Sequence, residues 1–483
     1  MLKPLAFTVL ALAAPLAAMA ASTTFINPVG PAGSSSADPH VMRHSDGNYY
    51  FVATSPGWDR IELRKSPSLS GIGARTPVTV FTRSAACSGT RCYSKDVWAP
   101  EINYINGAWY IYFSAAGTDD HHRIFAIRNT NADPTTGSWS APVKIADSED
   151  AWAIDQTVAN INGQLYMAWS DISGGQPQRI KIARMSSPTA IVGKGAIVST
   201  PTYAWEQAGA RVNEAPAFII RGSRVHMAIS ASGCWTDDYK LGLLSANLGA
   251  DLTAPANWSK AANPVLQKGN GAYGPGHNSF TKSPDGLEDW IVYHANPAAG
   301  QGCGNARTTR IQKVTWNGDT MVLGAPVAAG TPLTRPAGEG SATIWYRLRN
   351  QHSGKVMSID RAAAANGAAI WQWTNLNNSD QLWSLDPVGS GYIRLTNSMN
   401  GNVADVFNAG LASGVPVKSY PYAGSANQQW LLVPTDTQYF KVRNRNSGLM
   451  LDNKDGSMAD GGVIGQWSDN NATPQRWLFE RAN

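Results

Sequence analysis

Long hydrophobic runs are missing from most of this chain of 483 residues. The longest run lies within residues 1–20 and is too short to cross a membrane. No later segment approaches the roughly 18 apolar residues that a spanning helix needs. Charged residues make up only 15% of the chain, and the basic ones are scattered without runs. Scattered charge indicates a solvated surface, so the sequence predicts neither a membrane nor a nucleic-acid partner.

Residues 1–20 have the pattern of a secretory signal peptide. Lys3 is their one charge, an apolar run follows from Leu5 to Leu16, and small residues flank Met19 as at a cleavage site. The mature protein is therefore expected to be secreted into the extracellular space. We also expect it to be a monomer.

Cysteine is scarce as well, with four in the whole chain. In an exported protein they favour disulfides, and a metal site would need His or Cys at tighter regular spacing. Cys87 with Cys92 would close a small loop, and Cys234 with Cys303 would then join distant segments.

Amphipathic helical patterns are also lacking, and short aromatic strands are present in their place. Hairpin patterns recur at Tyr49, Trp109, Leu165, Val225 and Trp290, about 60 residues apart. Several are preceded by Asn-Gly or Asp-Gly, the strongest short hairpin signal. Each unit is long enough for a four-stranded sheet, so residues 24–335 are expected to form a five-bladed β-propeller.

Polar or aromatic residues precede each hairpin by 10 to 13 residues: Asp38, Trp98, Asp155, Glu214 and His277. Equivalent positions on the innermost strands of a propeller surround one channel, so these five side chains are expected to converge. Buried carboxyl groups need partners or a raised pKa, and a purely structural protein would avoid three together. Hydrolysis of a glycosidic bond needs two such groups, and a third can keep the acid protonated.

The motifs Asp38-Pro39-His40, Trp98-Ala99-Pro100-Glu101, Asp155-Gln156 and Asn213-Glu214-Ala215-Pro216 resemble those of glycoside hydrolase family 43. The resemblance implies a five-bladed propeller and inversion of anomeric configuration. It implies that Asp38 is the general base, Asp155 the acid that adjusts pKa and orientation, and Glu214 the general acid. Inversion would separate Asp38 from Glu214 by ~6.5–9.5 Å, with room for the attacking water.

Further roles follow from the same resemblance. Trp98 would line the sugar pocket, Arg307 would contact the substrate or Asp155, and His277 would face a channel metal, often calcium, mostly through water. From the sequence itself, Trp58 follows the first hairpin, where a loop can fold over the channel mouth and stack on a sugar.

A second repeat begins after residues 336–341, a short Pro/Gly stretch that we expect to be a linker. Gln381, Gln428 and Gln475 each open a Gln-x-Trp motif and lie 47 residues apart. Three such units predict a β-trefoil over residues 342–483, so the fold class is all-β, a propeller followed by a trefoil. In each lobe an Asp precedes an aromatic residue, a pairing that suits a sugar's hydroxyls and its apolar face.

The second repeat resembles the ricin-B-type lectins, also classed as carbohydrate-binding module family 13. The resemblance implies one sugar pocket in each lobe, although Ser419 departs from the pattern in lobe two. The implied pockets are Asp360, Gln372 and Trp373; Asp405 and Tyr420; and Asp452, Gln466, Trp467 and Asn470.

These expectations describe a secreted enzyme of plant cell-wall polysaccharide or its oligosaccharides. The surroundings of Trp98 look most like those of α-L-arabinofuranosidases that release single arabinose units from arabinan or arabinoxylan. β-Xylosidase, endo-arabinanase, galactan-acting galactosidase and retaining fructan hydrolase activities stay open, as does a lectin without catalysis.

Overall fold

The computed structural model describes residues 24–175, 177–363 and 365–483, so the expected signal at residues 1–20 lies outside them. The described residues form antiparallel β-sheets and short 3₁₀ helices, an all-β protein. None of the described helices is long and apolar enough to cross a membrane.

Five sheets follow one another along the chain, and each runs from its innermost strand outward in chain order. Blade one contains strands Ala37–Arg43, Tyr49–Thr54, Arg60–Ser66 and Val78–Thr82. Blade two contains Lys95–Ile105, Ala108–Ala116, Arg123–Asn129 and Val143–Ile145. Blade three contains Ala153–Ile161, Gln164–Asp171, Arg179–Ser187, Ala190–Ile191 and Ala196–Ser199. Blade four contains Asn213–Arg221, Arg224–Ala231, Lys240–Asn247 and Ser259–Lys260, and blade five contains Tyr273–Lys282, Asp289–Asn296, Thr308–Asn317 and Thr320–Val322.

The first two strands of the blades join through tight turns. In blade two, Asn106 and Gly107 both have positive φ, 51° and 80°, and Asn162 and Gly163 repeat this in blade three with 50° and 80°. Two successive residues with positive φ match the twist of the flanking strands, and Asn and Gly adopt this conformation most readily. The expected five-bladed propeller is therefore confirmed.

The remaining strands form the expected β-trefoil. Lobe one contains Tyr346–Asn350, Val356–Ile359, Ala368–Trp373 and Trp383–Gly389. Lobe two contains Tyr392–Asn397, Val403–Val406, Val417–Tyr420 and Trp430–Pro434. Lobe three contains Phe440–Asn444, Met450–Asn453, Gly462–Trp467 and Trp477–Arg481. In the part of the chain that the structure describes, the 3₁₀ helices are Leu69–Ala74, Ala204–Glu206, Pro255–Asn257, Arg361–Ala363, Ser379–Gln381, Phe407–Ala409, Ala426–Gln428, Lys454–Gly456 and Thr473–Gln475.

The tryptophans of the Gln-x-Trp motifs fill the centre of the trefoil. Trp383, Trp430 and Trp477 are fully buried. Each indole N–H donates to a backbone carbonyl 26 residues earlier at 3.0 Å. The motif thus serves packing, since buried aromatic rings with satisfied donors stabilise the core of a small barrel.

The trefoil packs directly against the propeller. One hydrophobic cluster contains residues of both units, including Phe25 of the propeller and Tyr346 of the trefoil. The segment 336–341, expected to be a linker, is held in place because Glu339 accepts hydrogen bonds from the amide and the hydroxyl of Ser70 at 2.8 and 2.5 Å. Gln438 of the trefoil donates to the carbonyl of Ser34 at 2.6 Å.

Candidate active site

The innermost strand of every blade is interrupted at the same place by a β-bulge. At each bulge one non-glycine residue has a positive φ between 43° and 54°. These residues are Asp38, Ala99, Asp155, Ala215 and His277. Strained backbone of this kind concentrates at functional sites, and a bulge re-aims the neighbouring side chains.

The bulges correct one detail of the sequence prediction. Trp98 and Glu214 do not share the repeat position of Asp38, because the strand register places each of them one residue earlier. The extra residue of a bulge lets consecutive side chains reach the same side of a strand. Blades two and four therefore present the residue before the positive-φ position, Trp98 and Glu214. Blades one, three and five present the residue at that position, Asp38, Asp155 and His277.

Hydrogen bonds between neighbouring blades fix the bulges. The amide of Ala99 donates to Thr54 Oγ1 at 2.8 Å, and the amide of Asp155 donates to Ser114 Oγ at 3.0 Å. The amide of His277 likewise donates to a serine hydroxyl of blade four at 2.8 Å. The amide of Asp38 donates to Nδ1 of His294 at 3.0 Å, where blade five meets blade one. The ring of blades is thus closed at the level of the candidate site.

Asp38 is a buried carboxylate surrounded by positive and donor groups. Its Oδ1 lies 3.0 Å from Arg307 Nη1 and 3.3 Å from His277 Nδ1, and its Oδ2 accepts from the Thr54 hydroxyl at 2.7 Å. Burial would raise the pKa of Asp38, but the charges of Arg307 and His277 and contact with His294 hold it well below its usual range. Asp38 is therefore ionised at neutral pH.

Asp155 lies near the same nitrogen of this histidine, with its Oδ2 3.9 Å from His277 Nδ1. Burial and the neighbouring charges of Glu214 and Asp38 raise the pKa of Asp155 well above its ordinary value, although the Ala215 amide donates to it. Asp38, Asp155 and Glu214 are thus close enough for the charges of the other two to raise the pKa of Asp155. The burial of His277 lowers its own pKa.

Glu214 is held by two side-chain donors. The Tyr239 hydroxyl donates to its Oε1 at 2.8 Å, and Gln178 Nε2 donates to its Oε2 at 2.9 Å. Burial raises the pKa of Glu214 to about 7, with a contribution from the charge of Asp38, while the two donors act in the opposite direction. A buried acid with a pKa near 7, beside a carboxylate with a low pKa, is an arrangement that divides acid and base roles.

Aromatic side chains border the carboxyl groups. The rings of Trp58 and Trp98 meet edge to face with centroids 5.7 Å apart, and Trp98 stacks on His122 at 4.7 Å. Trp58 is 37% exposed, so part of it is accessible to a ligand. Flat apolar faces beside buried carboxyl groups suit the apolar face of a sugar ring.

Arg307 is anchored by a disulfide-bonded loop. The expected disulfides Cys87–Cys92 and Cys234–Cys303 are both present. Arg307 Nη2 donates to the carbonyl of Cys303 at 2.9 Å while Nη1 binds Asp38. The Cys234–Cys303 disulfide therefore supports Arg307, the cation that keeps Asp38 ionised. Arg307 contacts Asp38 directly, whereas the sequence had suggested the substrate or Asp155 as its partner.

Two places in the propeller have donor sets for a cation. Asn278, next to His277, has both amide atoms buried without a hydrogen-bond partner among the described residues, and an amide oxygen suits a hard cation. The other is an acidic group, Asp96, Asp120 and His122, whose ligand atoms lie within 4.8 Å of one another. Lys95 Nζ lies 2.6 Å from Asp120 Oδ1, so an ammonium group already neutralises part of that charge.

The trefoil pockets differ from the sequence expectation in lobe one. The strand register shows that Ser358 in lobe one occupies the position of Asp405 in lobe two and Asp452 in lobe three. Asp360 lies two residues further along the chain. The prediction that Asp360 is the lobe-one counterpart of Asp405 and Asp452 was therefore wrong. Ser358 Oγ instead donates to Asp380 at 2.7 Å, so the lobe-one carboxylate comes from another segment.

The remaining lectin residues fall into two groups. Gln372 and Gln466 are fully buried, and their amides bind backbone carbonyls and a neighbouring serine hydroxyl. They connect neighbouring lobes, because Gln372 donates to the carbonyl of Ser457 in lobe three and Gln466 donates to that of Gly410 in lobe two. Trp373 and Tyr420 are half-buried. In lobe three, Asp452, Trp467 and Asn470 line one pocket, and Trp467 is 39% exposed.

Sequence reasoning missed Gln178, Tyr239 and His294. They lie outside the repeated inner-strand position: Gln178 and Tyr239 are on loops, and His294 is on the second strand of blade five. The signal available for His294 was its repeat position, because it occupies the place of Thr54 and Ser114 in blades one and two.

Comparison with known proteins gives matches over both units. Residues 25–322 match the model described as glycosyl hydrolases family 43. Residues 336–420 and 426–483 match the model described as ricin-type beta-trefoil lectin domain-like.

Among curated relatives, an extracellular exo-α-(1→5)-L-arabinofuranosidase of Streptomyces avermitilis is 41% identical over 325 residues, 65% of this chain and 66% of the relative, just under two thirds of its length. α-L-Arabinofuranosidase 43 of Humicola insolens is 37% identical, over 70% of this chain and 72% of the relative. Among solved structures, an α-L-arabinofuranosidase from Lactobacillus brevis has a TM-score of 0.59 and 34% identity, over 63% of this chain and 98% of that one.

Proposed function

The chain belongs to glycosyl hydrolases family 43, and on that premise we propose that it is an inverting, exo-acting α-L-arabinofuranosidase. The observation that carries the proposal is that one buried site holds Asp38, which contacts Arg307 and has a lowered pKa, and Glu214, whose pKa burial raises to about 7. An inverting glycosidase needs one carboxylate to activate water and one carboxylic acid to protonate the leaving oxygen.

In this proposal Asp38 is the general base. Its low pKa keeps it ionised, so that it can accept a proton from water. Arg307 and the Thr54 hydroxyl fix its orientation. The attacking water would lie between Asp38 and the anomeric carbon, on the face opposite the leaving group.

Glu214 is the proposed general acid. A pKa of about 7 keeps a large fraction of it protonated at neutral pH, which matches the requirement that a catalytic acid titrate near the working pH. The proton passes to the glycosidic oxygen as the bond to the anomeric carbon breaks. In this proposal Asp155 is the acid that orients Glu214 and adjusts its pKa, and the two groups are close enough for the charge of Glu214 to raise the pKa of Asp155.

The substrate proposal is arabinan or arabinoxylan of the plant cell wall, or their oligosaccharides, and it rests on the printed activities of the relatives. Trp58, Trp98, His277 and Arg307 would contact the sugar of the catalytic site. In the trefoil, the proposed contacts are Trp373 in lobe one, Asp405 and Tyr420 in lobe two, and Asp452, Trp467 and Asn470 in lobe three, with Gln372 and Gln466 behind them. Export into the extracellular space fits the two disulfides and the extracellular relative.

Calcium in the channel is part of the proposal. His277, through water, and the amide oxygen of Asn278 would hold it, and the ion would add positive charge near Asp38. No step of the reaction requires it.

The test compares leaving groups. Wild type and the variants Glu214→Ala and Asp38→Ala are assayed with p-nitrophenyl and 2,4-dinitrophenyl α-L-arabinofuranosides and with arabinan. Glu214→Ala should lose activity on arabinan but keep much of it on the dinitrophenyl substrate, whose leaving group needs no proton. Asp38→Ala should lose activity on all three.

Equal losses of both variants on every substrate would contradict the assigned roles. A wild type that releases xylose or galactose, but no arabinose, from a panel of aryl glycosides and polymers would overturn the substrate class. Sizing of the products from linear arabinan separates exo from endo action, since only arabinose should appear early.

A further inference from the structure

A groove lined by both polar and apolar residues separates the propeller from lobe three of the trefoil. Its volume is about 550 Å³, within the range of pockets that bind small organic ligands. The propeller wall consists of Tyr273 and the segment 297–299. The trefoil wall includes Asp436, Lys441, Asn471 and Arg476.

The propeller wall of the groove belongs to the mouth of the candidate active site. Tyr273 begins the innermost strand of blade five, the strand that carries His277. The segment 297–299 lies in the loop that ends at Arg307, the partner of Asp38. Gln301 of this loop donates to the carbonyl of Asp436 at 2.7 Å, so the mouth of the site and the trefoil are in direct contact.

The chemistry of the groove suits a neutral, hydroxyl-rich chain. Arg476 binds Asp436 and Asn471, both at 3.0 Å, and its buried Nε has no hydrogen-bond partner among the described residues. The Asp436 carboxylate is 62% exposed and free to accept further hydrogen bonds. Lys441 is paired with Asp469 at 2.7 Å, so the basic groups are neutralised and an anionic ligand is not favoured. Tyr273 adds an aromatic face of the kind that packs against sugar rings.

The groove is also adjacent to the lobe-three pocket. Asn471 and Arg476 line the groove, whereas Asn470 and Pro474 line the pocket that contains Trp467. The segment 470–476 therefore separates two candidate sugar sites by the width of one loop.

We propose that this groove binds the part of the polysaccharide that follows the scissile bond, on the leaving-group side. The proposed ligand is a neutral pentose polymer, and the inference rests on the function proposed above. In this arrangement the trefoil is not only an anchor elsewhere on the polymer, because it forms part of the binding site for the chain that is being cut.

The experiment measures kcat/KM on linear α-1,5-arabino-oligosaccharides of two to eight units and on p-nitrophenyl α-L-arabinofuranoside. Wild-type kcat/KM should rise with length beyond two units. In Arg476→Gln and Tyr273→Ala the ratio of kcat/KM for the octamer to that for the dimer should fall about tenfold, because loss of one charged or stacking contact costs about 1.4 kcal/mol.

Arg476→Gln is chosen because lobe two carries Gln429 at the equivalent place, before the core Trp430, so the fold already accommodates the substitution. The matched control is Arg394→Gln. Arg394 is the lobe-two equivalent of Lys441, packs on Tyr422 and lies outside the groove. The ratio of kcat/KM for the octamer to that for the dimer should be the same in Arg394→Gln as in wild type.

A length ratio unchanged within twofold in both groove variants would overturn the inference while leaving the proposed function intact. A wild type without activity on any arabinofuranoside would instead contradict the proposed function. In that case, affinity electrophoresis of wild type and Arg476→Gln in gels containing arabinan, arabinoxylan or galactan still decides the inference. Equal retardation of the two proteins by every polymer would refute it.

Discussion

The pairing of Arg307 with Asp38 gives a prediction that can be worked through from the structure. Arg307→Gln keeps much of the side-chain volume and removes the positive charge 3.0 Å from Asp38 Oδ1. A neighbouring arginine typically lowers the pKa of an aspartate by about 1–3 units, and each unit corresponds to about 1.4 kcal/mol. Burial disfavours the ionised form of Asp38, and the variant lacks the positive charge that contributes most to keeping its pKa low.

The sign of the effect follows from the proposed role. The general base must be ionised, so activity is present above the pKa of Asp38 and is lost as the pH falls through it. Removal of Arg307 raises that pKa, and the acidic limb of the kcat/KM profile should move upward by about 1–3 units. The basic limb, near pH 7 from Glu214, should move much less.

The assay is the pH dependence of kcat/KM on an aryl arabinofuranoside. Circular dichroism at each pH confirms that the variant stays folded. Arg224→Gln is the control for loss of one charge and should keep the wild-type profile, because Arg224 is a half-buried arginine at a hairpin of blade four. A uniform loss of activity in Arg307→Gln, with the acidic limb in its original place, would refute the reasoning and leave Arg307 as a substrate contact only.

Three further predictions concern the support of the site. Tyr239→Phe removes a donor to Glu214, so the pKa of Glu214 should rise and the basic limb of kcat/KM should move up by about one unit; a downward shift would contradict this. Replacing Cys234 and Cys303 by serine should lower the free energy of unfolding in urea by up to about 4 kcal/mol and lower kcat through Arg307; unchanged kcat would show that the loop needs no disulfide. Chelator treatment should lower Tm if calcium occupies the channel, and unchanged Tm and activity would remove calcium from the proposal.

The repeats made most of the fold predictable. Aromatic hairpins about 60 residues apart indicated five blades, and Gln-x-Trp motifs 47 residues apart indicated three lobes. Both predictions work because a closed repeat architecture converts equal spacing along the chain into equivalent places in space.

Details that depend on single-residue register were not predictable in the same way. The bulge that separates Glu214 from the position of Asp155 adds one residue to a strand without changing the hydrophobic pattern. In lobe one, counting from the preceding glycine would have found Ser358: it follows Gly354 by four residues, as Asp405 follows Gly401 and Asp452 follows Gly448.

The electrostatic partners of the site could not be read from repeats at all. Tyr239 and Gln178 reach Glu214 from outside the repeated inner-strand position, and Arg307 reaches Asp38 across 269 residues. Their contribution depends on loops whose lengths differ from blade to blade. The charged state of each carboxyl group therefore had to come from the structure.

The most direct test of the account is the configuration of the sugar at the moment of its release. ¹H NMR during hydrolysis of p-nitrophenyl α-L-arabinofuranoside by a high enzyme concentration separates the first-formed anomer from the later equilibrium mixture. If Asp38 activates a water while Glu214 protonates the leaving oxygen, β-L-arabinofuranose appears first. Initial appearance of the α anomer would mean a covalent intermediate and would contradict the roles of both residues.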